Sequence, residues 1–274
     1  MQEKIKIEKN TVAETLLLPL SGRADCSKKY PSVFKDAEAE RIIDSIDYDF
    51  SSLSYTSFVV LSWAVRKHFL LKCARDYLEK HPKATIVNLG CGADTCFEEL
   101  DNGKCHVLNI DLPEVIEARE KITKCHEREK NVGMSAFDFS WMEQVETEVQ
   151  DGLFVMSGGV LFYFEKEKVK SLFLTLAKKF PAGGIAFDAV NSSGLKKSNK
   201  VVEKSGNKGA KVVFALDDAK KELSSWSSDF AEVNVCRRLN PQIKKEKSIP
   251  FGTRFAVNMG MKLGFMQFVE IRFK

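Results

Sequence analysis

The sequence predicts an α/β fold built on a doubly wound, mostly parallel sheet that follows a helical extension. From Ala84 onward, short apolar runs alternate with amphipathic segments, which is the pattern of parallel strands joined by helices. A glycine turn, Gly90-Cys91-Gly92, directly follows the first apolar run, Thr85 to Leu89. Residues 1–80, in contrast, show helical spacing without a clear strand pattern.

Length and composition fit a single elaborated domain. A chain of 274 residues buries about 70–75 % of its unfolded surface, which is enough for a sizeable core. We divide it into an N-terminal helical extension or lid, residues 1–80, and a core, residues 81–274. The 44% of hydrophobic and 29% of charged residues are ordinary for a globular protein, and a net charge of +4 does not indicate nucleic-acid binding.

The seven cysteines are scattered and form no C-x-x-C pair. They also lack zinc-like spacing with the four histidines, so we expect no metal site and a reduced, intracellular environment. The N-terminus has no apolar signal core, and no run approaches the length of a membrane span. A cytoplasmic location is therefore expected.

The extension contains three helical segments. Thr11 to Leu20 is apolar and is expected to end in a turn at Ser21-Gly22-Arg23-Ala24. Asp36 to Ile46 and Ser57 to Leu78 have apolar residues at helical spacing. These helices either cover a ligand at the core or only support the sheet, and the pattern leaves both interpretations open.

The later segments complete the predicted sheet. Helices are expected at Pro113 to Cys125, Glu165 to Phe180, Asp217 to Trp226 and Phe251 to Leu263. Strands are expected at Cys105 to Ile110, near Asn131 to Phe137, and at Gly152 to Ser157, Ile185 to Val190, Phe230 to Arg238 and Phe265 to Phe273. Lys196 to Lys211 is lysine-rich, and Asn240 to Ser248 is expected to be a basic loop. Ligands bind at the carboxyl edge of such sheets, where Gly90, Asp111, Asp138 and Gly159 are predicted to lie.

The glycine turn and Asp111 together indicate a nucleoside ligand. Asp111 lies about 20 residues beyond the glycines, where a carboxylate accepts hydrogen bonds from a ribose diol. A dinucleotide-binding turn has a third glycine, but that position is Thr95 here, which favours a ligand without a pyrophosphate. Another nucleotide, or a purely structural turn between strand and helix, remains an alternative at this point.

Several linked motifs carry a more specific resemblance. The segments VNLGCGADT, NIDLPEVIEAR, FDFSWMEQV, GGVLFYFEKEKV and FPAGGIAFD occur in order along the chain, after an N-terminal ETLLLPLSGRA. In sequence and spacing they resemble the leucine carboxyl methyltransferase superfamily, especially its bacterial branch of polyketide O-methyltransferases. The resemblance covers nearly the whole chain.

This resemblance implies a class I methyltransferase fold, Rossmann-like with a seven-stranded, mostly parallel sheet, and S-adenosylmethionine as cofactor. By position, Gly90 and Gly92 would line the methionine portion of the cofactor. Asp111 would hold the ribose hydroxyls, Asp138 would accept from the adenine amino group, and Phe139 would lie against the base. Asp111 and Asp138 have helix capping as their structural alternative.

The resemblance also implies a role for Arg66, which matches the family arginine that pairs with the cofactor carboxylate. A guanidinium fork suits this role because it engages both carboxylate oxygens. The alternative is a solvated helix residue. Cys91, Leu112 and Ser157 complete the expected cofactor-binding set.

Two features favour an oxygen acceptor. Gly158 stands where much of the family has a glutamate, so any role of that carboxylate is lost. The segment also differs from the Asn-Pro-Pro-aromatic motif of amino-directed methyltransferases, and Asn240-Pro241 lies in a different context.

The candidate catalytic residues are His68 and Tyr163. A carboxylate acceptor is ionised near neutral pH and needs no base, whereas a phenol, with a pKa of about 10, needs one. The alternative for His68 is a structural role, and the alternative for Tyr163 is ordinary packing as a core aromatic residue. Arg23 is a candidate for an acidic substrate group, with a salt bridge inside the helical extension as its alternative.

The sequence thus predicts an S-adenosylmethionine-dependent O-methyltransferase of a small-molecule hydroxyl or carboxylate. One alternative is carboxyl methylation of a protein C-terminus or of a modified RNA, to which Lys196 to Lys211 and Lys244 to Lys247 would contribute charge. Others are a non-catalytic S-adenosylmethionine-binding module and a nicotinamide-dependent oxidoreductase. No membrane partner is expected, nucleic acid is disfavoured, and the oligomeric state is not predicted.

Overall fold

The computed structural model describes residues 4–6, 12–53, 55–145, 149–205 and 211–274. The strands are β1 (Ile5–Lys6), β2 (Ile46–Asp47), β3 (Thr85–Leu89), β4 (His106–Asp111), β5 (Glu129–Gly133), β6 (Leu153–Ser157), β7 (Gly184–Ala189), β8 (Phe230–Cys236) and β9 (Gln267–Phe273). The α-helices are α1 (Val12–Lys29), α2 (Ala37–Ser45), α3 (Ser57–Leu78), α4 (Phe97–Leu100), α5 (Pro113–Ile122), α6 (Lys166–Lys179), α7 (Ser192–Ser205), α8 (Ala219–Ser224), α9 (Pro241–Lys245) and α10 (Phe251–Lys262).

A seven-stranded sheet with the order β5-β4-β3-β6-β7-β9-β8 forms the centre of the fold. Strands β3 to β7 are parallel to one another, while β9 is antiparallel to both β7 and β8. The order reverses between β3 and β6, and a crevice forms at such a point, outside the carboxyl ends of the strands. The predicted fold class, an α/β fold with a seven-stranded and mostly parallel sheet, is confirmed.

The central strands β3, β6 and β7 are buried at every position. Their apolar residues pack on both faces of the sheet, because parallel sheets are covered by helices on each side. Helix α6 packs on one face through Val169, Leu172, Phe173 and Leu176. Helix α3 packs on the other face through Leu70, Ala74 and Tyr77. The sheet therefore gives the loops at its carboxyl edge a rigid support.

The N-terminal helices pack directly on this framework. Helix α2 begins after Asp36, whose carboxylate accepts from the Ala39 N–H at 3.0 Å, and α3 begins after Thr56. The bounds of α3 match the predicted Ser57 to Leu78 segment. The division into an extension and a core near residue 80 stays a prediction.

The predicted turn at Ser21-Gly22-Arg23-Ala24 is wrong, because α1 continues through it to Lys29. Gly22 serves helix packing instead: a Cβ at this position would lie 2.4 Å from the indole of Trp63 on α3. Glycine therefore permits the close approach of the two helices, even though it weakens the helix locally. The proposed start of this segment at Thr11 lies outside the described residues.

Two further segments differ from the predictions. Strand β5 pairs with β4 only as far as Gly133, so the segment up to Phe137 is not part of the sheet. The apolar residues beyond it still pack on the core, which explains the misleading pattern. The Asn240 to Ser248 segment contains the short helix α9, capped by the Asn240 side chain through the Gln242 N–H.

In the part of the chain that the structure describes, no helix is long and apolar enough to cross a membrane. The same residues contain no group of three or more His, Cys, Asp or Glu side chains arranged to hold a metal ion. The lysine-rich segment forms α7 up to Ser205, and residues 206–210 of that segment lie outside the description.

Candidate active site

A cleft of about 200 Å³ lies at the carboxyl edge of the sheet. The glycine turn after β3 and the loop after β6 form one wall. Helices α1 and α3 form the other wall, with Leu16 and Pro19 from α1 and Trp63 and Arg66 from α3. The N-terminal extension thus contributes directly to this cleft.

The glycine turn requires the backbone conformation that glycine provides. Gly90 and Gly92 have φ values of 72° and 48°, which L side chains rarely adopt. A Cβ on Gly90 would lie 2.3 Å from a methyl group of Val160, on the loop after β6. The N–H groups of Gly90 and Cys91 donate to the Ile110 carbonyl at 2.7 and 3.1 Å, which fixes the turn against β4. Burial raises the pKa of the Cys91 thiol to about 12, so this side chain stays a neutral thiol.

Asp111, at the end of β4, is tied to the same turn. Its Oδ2 accepts from the Gly92 N–H and its Oδ1 from the Leu112 N–H, both at 2.8 Å. Burial raises the pKa of the Asp111 carboxyl, and the two N–H groups oppose that increase. A carboxylate has about four lone-pair sites, so Asp111 retains capacity for two further donors.

Arg119 supports the glycine turn through hydrogen bonds to its backbone. The sequence analysis assigned no role to this residue. It is 1% exposed, and its Nη1 donates to the Gly92 carbonyl at 3.0 Å and also to the Asp94 carbonyl. Its Nε donates to the Asn131 side chain at 3.2 Å. The motif NIDLPEVIEAR contains this arginine, and its place on the buried face of α5 is the signal that could have identified it.

Arg66 lies in the cleft wall and pairs with Asp188, a residue at the end of β7 that the sequence analysis did not single out. Its Nη1 lies 3.1 Å from Asp188 Oδ2, and the two side chains are 20% and 10% exposed. The other carboxylate oxygen of Asp188 accepts from the Gly159 N–H at 2.6 Å. The Asp188 carboxylate on β7 thus links helix α3 to the loop that follows β6.

A buried network of charged groups lies behind the glycine turn. Lys67 Nζ is within 2.8 Å of Asp36, 3.0 Å of Glu99 and 3.2 Å of Asp94. Burial alone would lower the pKa of the Lys67 ammonium, but these three carboxylates raise it above its ordinary value. Burial would also raise the pKa of Asp36, but Lys67 and Arg23 lower it to about 2. The Lys67 ammonium and the Asp36 carboxylate therefore stay ionised near neutral pH.

Arg23 belongs to this network. Its Nε donates to Asp36 Oδ2 at 3.0 Å, and its Nη2 donates to the Ala93 carbonyl at 3.2 Å and lies 3.3 Å from Asp94 Oδ1. The guanidinium is buried and links α1 to α2 and to the glycine turn. This geometry corresponds to the salt-bridge alternative for Arg23, while its assignment to substrate stays a prediction.

The far end of the expected cofactor site is open. Leu112 is 45% exposed. Asp138 is also exposed, and it caps the short helical turn Phe139–Gln144 by accepting from the Ser140 N–H at 3.2 Å and the Ser140 hydroxyl at 2.7 Å. Phe139 is half-buried and packs against the core. The capping role of Asp138 is therefore present, and it leaves the second carboxylate oxygen available.

Ser157 takes no direct part in the lining of the cleft. It is fully buried at the end of β6, and its hydroxyl donates to the Leu89 carbonyl at 3.1 Å. This hydrogen bond joins β6 to β3 just before the glycine turn. The side chain thus supports the site through the sheet.

Neither candidate catalytic residue, His68 or Tyr163, is among the described residues that line the cleft. His68 lines a different cavity, its Nε2 is 3.3 Å from the Asn240 amide nitrogen, and burial lowers its pKa. Tyr163 is 41% exposed and lies in the loop after β6. Burial raises the pKa of the Tyr163 phenol, while Arg66 lowers it and Asp188 raises it. Tyr163 therefore stays protonated near neutral pH and is a hydrogen-bond donor rather than a base.

Comparisons with known proteins agree with this architecture. A model of the leucine carboxyl methyltransferase family matches residues 19–177. The tetracenomycin polyketide synthesis O-methyltransferase TcmP of Streptomyces glaucescens is 28% identical over 180 residues, which are 65% of this chain and 66% of that protein. The chain thus spans just under two thirds of that relative.

Solved structures share the fold. A candidate methyltransferase from Thermobifida fusca is 14% identical, with a TM-score of 0.60 over 94% of each chain. The plantazolicin methyltransferase BamL, solved with a triazolic desmethylPZN analog and SAH, is 12% identical, with a TM-score of 0.50 over 96% of this chain and 99% of that one. At these identities the structural likeness establishes the fold alone.

Proposed function

Because the chain belongs to the leucine carboxyl methyltransferase family, we propose that it is an O-methyltransferase that acts on a carboxylate or hydroxyl of a small molecule. S-adenosylmethionine is the methyl donor of this class and supplies an electrophilic methyl group on a sulfonium. The observation that carries the proposal is the cleft at the carboxyl edge, which unites the glycine turn with Arg66.

The residues present fit this cofactor. The turn at Gly90 and Gly92 brings bare backbone to the cleft, and the Arg66 fork faces the same space, where it suits a carboxylate. Asp111 is fixed by two backbone N–H groups and retains acceptor sites for a ribose diol. We therefore assign Arg66 to the methionine end, Asp111 to the ribose and Asp138 with Phe139 to the adenine.

The remaining task of the chain is alignment and exclusion of water. Methyl transfer is an in-line displacement, and its rate depends mainly on how donor and acceptor are held. Leu16, Pro19 and Trp63 make the wall formed by α1 and α3 apolar next to the charged end of the cleft. We propose that an apolar portion of the acceptor lies against this wall.

A carboxylate is the acceptor class that these residues serve best. Among the described residues that line the cleft there is no histidine, and the carboxylate of Asp94 lies within 3.3 Å of both Arg23 and Lys67. The raised pKa of Tyr163 makes its phenol a poor base. An acceptor that is already ionised needs none of these groups to take up a proton.

Two measurements test the proposed function. Calorimetry with S-adenosylhomocysteine should show binding by the wild-type protein and weaker binding by Arg66→Ala. Incubation with S-adenosylmethionine and a panel of aryl carboxylates and phenols should give methyl esters, detected by mass spectrometry, before it gives methyl ethers. Absence of S-adenosylhomocysteine binding would refute the cofactor assignment, and exclusive formation of ethers would refute the preference for carboxylates.

A further inference from the structure

We propose that Asp188 is a positioning residue that aims Arg66 at the cofactor carboxylate; this inference rests on the proposed function. Asp188 lies at the carboxyl end of β7, beneath the cleft, and is 8% exposed. Its carboxylate contacts both α3 and the loop after β6. Oδ2 accepts from Arg66 Nη1 at 3.1 Å and Oδ1 accepts from the Gly159 N–H at 2.6 Å.

The two glycines after β6 bring the guanidinium into this position. A Cβ on Gly159 would lie 2.6 Å from Arg66 Nη1 and 3.0 Å from its Cζ. A Cβ on Gly158 would lie 2.9 Å from Leu70 and 3.4 Å from Arg66 Nε. The guanidinium therefore lies directly against the backbone of the loop, and only residues without a side chain leave room for it.

The geometry requires a carboxylate at position 188. The donors from Arg66 and Gly159 meet different oxygens of the same group. An amide has one acceptor oxygen, and its NH₂ group would face the second donor. Asparagine at this position therefore loses one of the two hydrogen bonds and also the negative charge that is paired with Arg66.

Pairing with Asp188 fixes the orientation of the Arg66 guanidinium before the cofactor binds. A guanidinium has five N–H donors in a rigid fork, so one fixed donor determines the direction of the others. With Nη1 held by Asp188, the rest of the fork is directed from α3 into the cleft that Arg66 lines. The cofactor then meets an arginine that is already ordered, which reduces the entropy lost on binding.

A double-mutant cycle with S-adenosylhomocysteine as the probe tests this inference. Calorimetry should show that Asp188→Asn weakens binding about tenfold in the wild-type background, the size expected for a charge-assisted hydrogen bond. In the Arg66→Ala background the same substitution should change affinity by less than about twofold, because Asp188 acts through Arg66. Asp217→Asn is the matched control, since Asp217 also accepts two donors, both from Ser192.

A second variant keeps the test informative if Asp188→Asn does not fold. Gly159→Ala places a methyl group against the guanidinium, so it should weaken binding in the wild-type background and have a smaller effect with Arg66→Ala. Unchanged affinity in Asp188→Asn, or an equal loss with and without Arg66, would overturn the inference. Failure of the wild-type protein to bind S-adenosylhomocysteine would instead overturn the proposed function, which separates the two outcomes.

Discussion

The two ends of the candidate cofactor site differ in how their charged groups are held. At the methionine end, Arg66 is paired with Asp188, and the side chain of Lys67 behind the glycine turn is 11% exposed and has three carboxylate partners. At the proposed adenine end, Asp138 is exposed, and its carboxylate accepts only from Ser140 among the described residues. One end is closed and fixed in advance, whereas the other is open.

The ordered end of the site is the one at which the reaction requires precise alignment. Methyl transfer requires alignment close to the sulfur atom, which belongs to the methionine portion, so order is most useful at that end. The adenine lies far from the reacting atoms and can be held by fewer contacts. We therefore expect substitutions at the closed end to affect stability and binding strongly, and substitutions at the open end to have small effects.

The largest effect is expected for Lys67→Met. This substitution keeps the volume of the side chain but leaves Asp36, Asp94 and Glu99 without their shared cation. Removing one partner of a buried ionic network destabilises a protein by about 3–5 kcal/mol. Urea unfolding would measure this loss. Lys28→Met, which removes an exposed pair with Asp44, is the control and should leave stability nearly unchanged.

The same network predicts a dependence of stability on pH. The pKa of Asp36 is about 2 in the folded protein, below its ordinary value of 3.8. A lowered folded-state pKa stabilises the protein fully above 3.8, by about 2 kcal/mol, and this contribution disappears as the pH falls through about 2. The difference in unfolding free energy between wild type and Asp36→Asn should therefore shrink with acidification. A constant difference would contradict the assigned ion pairs.

Asp111→Ala tests the middle of the site. It removes the acceptor proposed for the ribose and the partner of the Gly92 N–H. The affinity for S-adenosylhomocysteine should fall about tenfold, as expected for loss of charged hydrogen bonds. Asp101→Ala is a control away from the glycine turn, because Asp101 also accepts a backbone N–H, that of Gly103, and otherwise pairs with Arg128.

The smallest effect is expected at the open end. Asp138→Ala should weaken S-adenosylhomocysteine binding by about twofold to threefold, because an exposed hydrogen bond contributes little net free energy. A loss at Asp138 larger than the loss at Asp111 would reverse the comparison. Such a result would mean that the residues at the proposed adenine end become ordered when the ligand binds.

Much of this account could be predicted from local patterns. The bounds of α3 follow from its helical spacing, and the glycine turn follows β3 as predicted. The predicted family and fold class are confirmed by the family match and by the sheet order. These features depend on residues close in sequence, or on motifs whose order alone is informative.

The remaining features depend on tertiary contacts that spacing does not encode. Asp188 meets Arg66 across 122 positions of the chain, and Lys67 joins side chains from three separate elements. Gly22 resembles a turn residue locally but serves contact with Trp63. Beyond Gly133, apolar residues pack on the core without pairing in the sheet, so alternation alone extended β5 too far.

A crystal structure with bound S-adenosylhomocysteine would test the central claim most directly. The account predicts that its carboxylate lies within hydrogen-bonding distance of Arg66, with Arg66 still paired to Asp188, and that its sulfur lies beside the turn of Gly90 and Gly92. The ribose should meet Asp111. A ligand whose carboxylate lies elsewhere, or an Arg66 side chain that leaves Asp188 to reach it, would contradict a methionine end that is fixed in advance.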